Sequence, residues 1–157
     1  LSATTRLGSP GRVTPAHLDH DTVQRRLRLL RASLDRLTSL EHTSAQDLDA
    51  DSLLRAAAER LLQVIVDLAV DVNGHVVVAL RGKAPETGRS SFTDLADCGV
   101  VPGELAERLA PSAGMRNVLV HQYVDIRTDL VAAAVGLALQ TYPAYVEAVA
   151  TYLSTHR

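Results

Sequence analysis

Gly114-Met115-Arg116-Asn117-Val118-Leu119-Val120-His121-Gln122-Tyr123 is the one stretch where titratable groups crowd together inside a strongly apolar local context. A guanidinium, an amide, an apolar triplet, an imidazole and a phenol fall close together along it. Long amphipathic patterns precede it and another follows, so it lies between helices. On a continuous helix, residues five apart are rotated by roughly 140°, which keeps Arg116 and His121 off a common face. Residues seven apart differ by only about 20°, so Arg116 and Tyr123 coincide. For Arg116 and His121 to act on one group, the helix must stop near Val120 and the chain must turn His121 back. Val118, Leu119 and Val120 then anchor the last turn in the core while Arg116 and His121 face a cleft.

These side chains suit phosphodiester chemistry. Histidine is the side chain whose ordinary pKa lets it take or give a proton near neutrality. Arginine offers a permanently charged fork that fits phosphate oxygens, both at rest and as charge builds in a transition state. Together they are able to cleave RNA without a metal: His121 deprotonates the 2′-OH or protonates the leaving 5′ oxygen, and Arg116 holds the phosphorane. One histidine cannot comfortably do both jobs at once, which favours two copies of the site meeting across a two-fold axis. The plainer reading is an arginine favourably placed near a helix C-terminus and a hydrogen-bonded core histidine.

Arg116-Asn117-Val118-Leu119-Val120-His121-Gln122-Tyr123 resembles the R-x4-H-x-Y motif of the HepT-like branch of HEPN domains, with the polar residue after Arg that HEPN ribonucleases usually carry. The similarity extends over roughly Asp51 to Leu153. It takes in Glu59-Arg60-Leu61-Leu62-Gln63 and Asp67, then Phe92-Thr93-Asp94-Leu95 and Gly99-Val100-Val101. One departure is Gln122, at a variable position. The resemblance implies an all-α, antiparallel four-helix bundle with additional short helices. It implies a toxin ribonuclease that forms a homodimer, cleaves mRNA or tRNA, and is neutralised by a cognate minimal nucleotidyltransferase antitoxin. Arg116, His121 and Asn117 are then the catalytic residues, and Tyr123 the acceptor of AMP from the antitoxin. The alternative is a non-catalytic helical dimer that serves only as a partner of a nucleotidyltransferase.

Composition sets the outer limits. The 157 residues are 46% apolar and 22% charged, which describes a globular chain of one domain. Aromatics are 3% and Trp is absent, so helices packed through aliphatic side chains are expected. A net charge of −2 supplies no global basic field. An RNA substrate therefore needs a local patch, for which Arg116, Arg127 and Arg89 around one groove of a dimer suffice. The single cysteine, Cys98, excludes an internal disulfide and a Cys-based zinc site. No Glu-x-x-His pair of the kind a metal-binding bundle uses is present, and no cofactor is expected. No apolar run approaches a membrane span and no signal peptide is visible, so no membrane association and a cytoplasmic location are expected.

Residues 1–13 read as a flexible tail and 14–157 as one helical domain. Thr14-Pro15 opens a helix to about Leu40, with Val23, Leu27, Leu30, Leu34 and Leu37 as its stripe. Residues 41–50 form a polar link whose Asp47, Asp49 and Asp51 cluster before the next N-terminus. A second helix spans about Ala50 to Leu80 and passes through Asn73-Gly74, with Glu59, Arg60, Asp67 and Asp71 off its stripe. One of these acids is expected to orient Arg116 or His121. A basic loop, 81–90, follows as a possible substrate contact, then a short helix capped at Ser91 and ended by Gly99. Pro102 starts another short helix to Ala110, where Pro111-Ser112 breaks the chain before the motif. Asp125 or Thr128 caps the last helix, whose stripe is Leu130, Ala134, Leu137, Thr141, Tyr145, Val149 and Tyr152, and Pro143 should kink or divide it.

Overall fold

The structure, a computed structural model, describes residues 17–121 and 127–157, His121 by its backbone alone. Six helices run in order: α1 (His20–Thr38), α2 (Ala45–Ala50), α3 (Ser52–Arg81), α4 (Gly88–Asp97), α5 (Gly103–His121) and α6 (Thr128–Thr155). The four long ones, α1, α3, α5 and α6, make the expected antiparallel bundle. α2 and α4 are the short additions.

Each boundary has a local cause. The Asp19 carboxylate accepts from the Thr22 backbone N–H at 3.0 Å and from the Thr22 hydroxyl at 2.6 Å, which caps α1; the start expected at Thr14-Pro15 lies outside the described residues. The stripe is as expected: Val23, Leu27, Leu30, Leu34 and Leu37 are all buried. The polar link contains α2, because Ser44 and Asp47 form a reciprocal capping box with aspartate in place of the usual glutamate. Asp51 ends α2 and caps α3 by accepting from the N–H groups of Leu53 and Leu54. Asp49 instead accepts from the Thr128 hydroxyl at 2.9 Å and ties α2 to α6.

α3 is the central rod. It stops at Gly82, whose φ of 73° is the left-handed conformation that a C-terminal cap needs. By length and composition it is apolar enough to cross a membrane, and its nine buried positions account for that as a core helix. Asn73 lies wholly buried inside it because its side chain is fully used. Asn73 Nδ2 donates to Ser91 Oγ on α4 at 3.0 Å, and the Tyr145 hydroxyl on α6 donates to Asn73 Oδ1 at 2.7 Å. Ser91 is thus a buried link, and α4 begins four residues earlier than expected, on a Thr87–Ser90 capping box. Gly99, at φ 77°, ends the turn after α4 as expected.

Contrary to expectation, Pro111 does not break α5, and α6 runs undivided through Pro143, where a kink or a division was expected. Both prolines are exposed, so neither ring displaces core packing where it interrupts the backbone ladder. The short helix expected at 102–110 and the motif as far as His121 form one rod, α5. Thr141, Tyr145 and Val149 of the expected α6 stripe are buried, and the phase differs only in the first half of the helix. Val131, Val135 and Ala138 enter the core, whereas Leu130 and Leu137 remain 48% and 45% exposed.

Candidate active site

Arg116 sits on a ridge of α5 with a different cavity on each side. Ala113, Gly114, Arg116 and Asn117 line a polar cleft of about 700 Å³, closed by Val66, Asp67, Val70 and Asp71 of α3 and by Thr87, Gly88 and Arg89. Successive residues three and four apart on the other face line an apolar groove of about 270 Å³. There Arg108, Ser112, Met115, Arg116 and Leu119 meet Leu62, Ile65 and Val66 of α3 and Leu130, Ala134 and Leu137 of α6. Arg116 borders both.

The acid that orients the arginine is Asp67. Arg116 Nε donates to Asp67 Oδ1 at 2.6 Å, across 49 positions of sequence. The side chains are 32% and 41% exposed, so the pair contributes only about 0.2–1 kcal/mol to stability. Its effect is orientation: with Nε engaged, the Nη edge of the fork remains for another acceptor. Asn117 Oδ1 lies 3.5 Å from Arg116 Nη1, at the edge of hydrogen-bonding distance. The other candidates on α3 are engaged elsewhere, since Glu59 pairs with Arg55 at 2.9 Å and Asp71 lies 3.6 Å from Arg26.

The remaining motif residues are placed only in part. α5 is described as far as His121, whose side chain lies outside the described residues, as does the chain beyond it, so the stop expected near Val120 falls at their edge. Gln122, Tyr123 and Asp125 lie outside them as well. Thr128 is not the cap of α6: Arg127 occupies that position without a side-chain bond to the helix. Arg127, a cation expected at the groove, holds Asp129 at 3.1 and 2.6 Å at the start of α6. Of the three arginines expected around one groove, Arg116 and Arg89 share a cavity.

One tie was not anticipated. Ser112 Oγ and the Tyr142 hydroxyl are 2.7 Å apart and fasten α5 to α6 beneath the groove. Burial pushes the Tyr142 phenol well above its ordinary pKa, so it stays protonated and keeps this contact.

Residues 30–149 match the model of the family described as Ribonuclease HepT-like. The chain is 38% identical over 133 residues to the tRNA nuclease HepT of Aphanizomenon flos-aquae, covering 85% of this chain and 90% of that protein. It is 26% identical over 88 residues to the mRNA nuclease HepT of Shewanella oneidensis, covering 56% and 66% respectively. In fold it is similar to the tri-AMPylated Shewanella oneidensis HEPN toxin solved in complex with MNT antitoxin. That match has a TM-score of 0.74 and 21% identity, over 83% of this chain and 98% of the other. The chain belongs to the HepT-like ribonuclease family.

Proposed function

We propose that this HepT-type toxin ribonuclease cuts RNA without a metal, using Arg116 and His121 from two copies of the chain. The observation that carries the reading is Arg116 held at 2.6 Å by Asp67 on the border between a polar cleft and an apolar groove. RNA lies on the polar side. The 2′-OH gives its proton to His121 of one copy and attacks the adjacent phosphorus. Arg116 donates to the non-bridging oxygens as their charge builds. His121 of the other copy protonates the departing 5′ oxygen, leaving a 2′,3′-cyclic phosphate and a 5′-OH. Asn117 orients the substrate or the imidazole.

The apolar groove is the proposed seam of the homodimer. Leu130 and Leu137, nearly half exposed, continue it along α6, and burying such a strip against a second copy removes apolar surface from water. The seam then runs beside Arg116, where a two-fold axis brings two sites together. A minimal nucleotidyltransferase antitoxin silences the enzyme in the cytoplasm by adding AMP to Tyr123. The adduct brings bulk and negative charge near Arg116 and repels the substrate phosphate. Relatives named as a tRNA nuclease and an mRNA nuclease support both RNA classes as substrates.

A non-catalytic partner of a nucleotidyltransferase is the second reading, favoured by the net charge of −2 and by the carboxylate already on Arg116. One assay separates the two. RNA cleavage is expected to persist in EDTA and to vanish in His121→Ala, with helical circular dichroism unchanged. A folded His121→Ala protein that cuts at the wild-type rate removes the catalytic pair. Intact mass after co-expression with a nucleotidyltransferase partner should rise by whole AMP units, and Tyr123→Phe should abolish the gain.

A further inference from the structure

We propose that the polar cleft is a subsite for a nucleotide flanking the scissile linkage, with Arg89 as the ligand of that nucleotide's phosphate. The inference rests on the ribonuclease reading and adds a binding residue to it. At about 700 Å³ the cleft lies within the roughly 300–1,000 Å³ range of small-ligand sites. Val66, Val70 and Ala113 give it apolar wall, and Asn117, Thr87 and Arg89 give it polar rim.

Its charges are not equally available. Asp67 is engaged by Arg116 and Asp71 by Arg26, and the Thr87 hydroxyl accepts from the Ser90 N–H. Among the described residues, Arg89 is the cation of this cleft without a carboxylate partner. Its position is also costly. Arg89 is the second residue of α4, where the unbonded N–H groups already carry partial positive charge and a cation is disfavoured. An exposed arginine there does not help the helix form; an anion shared between the guanidinium and that N-terminus relieves the conflict.

Packing fixes the distance to the reactive arginine. A Cβ built on Gly88 lies 3.4 Å from Ala113 Cβ and 3.5 Å from Val70 Cγ2, so the start of α4 rests against α5 one turn before Arg116. Neighbouring phosphates of a single strand are then served by the two arginines, one reacting and one holding.

The test uses a fluorescein-labelled single-stranded RNA oligonucleotide, bound by the full-length chain in an otherwise inactive His121→Ala background across a salt series. Wild-type kinetics on the same RNA run in parallel. Arg89→Ala should weaken binding roughly tenfold and lower the slope of log affinity against log salt by about 0.7, one single-strand phosphate contact. KM should rise with kcat within about twofold, and the melting temperature should not fall. Arg89→Lys should restore the salt slope but not the full affinity. Unchanged affinity and slope in Arg89→Ala, with the wild-type enzyme cutting RNA, overturn the subsite and leave the catalytic reading intact. A wild-type chain that never cuts sinks the catalytic reading, while the binding slopes still decide Arg89. An oligonucleotide that does not bind overturns the subsite outright.

Discussion

Arg116 and Asp67 meet at 2.6 Å although 49 positions separate them, and this contact gives the site its shape. A half-exposed pair of this kind adds little stability, so its removal should show in chemistry and hardly at all in folding. Asp67→Asn is expected to lower kcat on the order of 10–100-fold, as a misaimed catalytic group does. KM should stay level or fall, because the cleft loses a negative charge. Steady-state kinetics beside a thermal melt checks this; a large fall in melting temperature with kcat preserved would mark Asp67 as merely structural. The sequence narrows the orienting acid to Asp67, Asp71 and Glu59 on one helix and goes no further. Which of them faces α5 is set by how two rods are rotated against each other, and no local spacing encodes that. Arg116 itself is legible, being a strong base in an apolar run.

At the scale of elements, the amphipathic stripes of α1 and α3 translate into buried faces, since a strongly periodic helix has only one side to bury. α6 shows where that logic stops. Its apolar residues occupy two neighbouring strips: Val131, Val135 and Ala138 meet the core, while Leu130 and Leu137 meet the groove. Hydrophobicity reports that a face is covered, not by what. The prolines mislead for a related reason, since both are exposed and neither ring displaces core packing. Asn73 is the opposite case, a polar residue made necessary by its neighbours. Asn73→Leu leaves Tyr145 without its 2.7 Å acceptor and Ser91 without its donor, across α3, α4 and α6. The variant should lose about 1–3 kcal/mol, read as a lower urea midpoint at unchanged m-value. A midpoint equal to that of the wild type would show the network to be dispensable.

For the whole molecule, all six helices contribute to the core, and the buried polar side chains are satisfied among the described residues. Leu130 and Leu137 remain open along the groove between α5 and α6. Leu130→Glu with Leu137→Glu should leave the protein folded, because both positions are nearly half exposed. It should turn the proposed dimer into a monomer in sedimentation velocity and reduce RNA cleavage by at least tenfold. A double variant that stays dimeric moves the seam elsewhere; a monomer that cuts at full rate removes the need for two sites.

Because Arg116 borders both the dry trough and the wet one, whatever fills either changes the surroundings of the same guanidinium. Under the proposed arrangement, any effect of self-association on RNA capture is returned by RNA on self-association by an equal factor. Dilution would disarm such a toxin without any antidote.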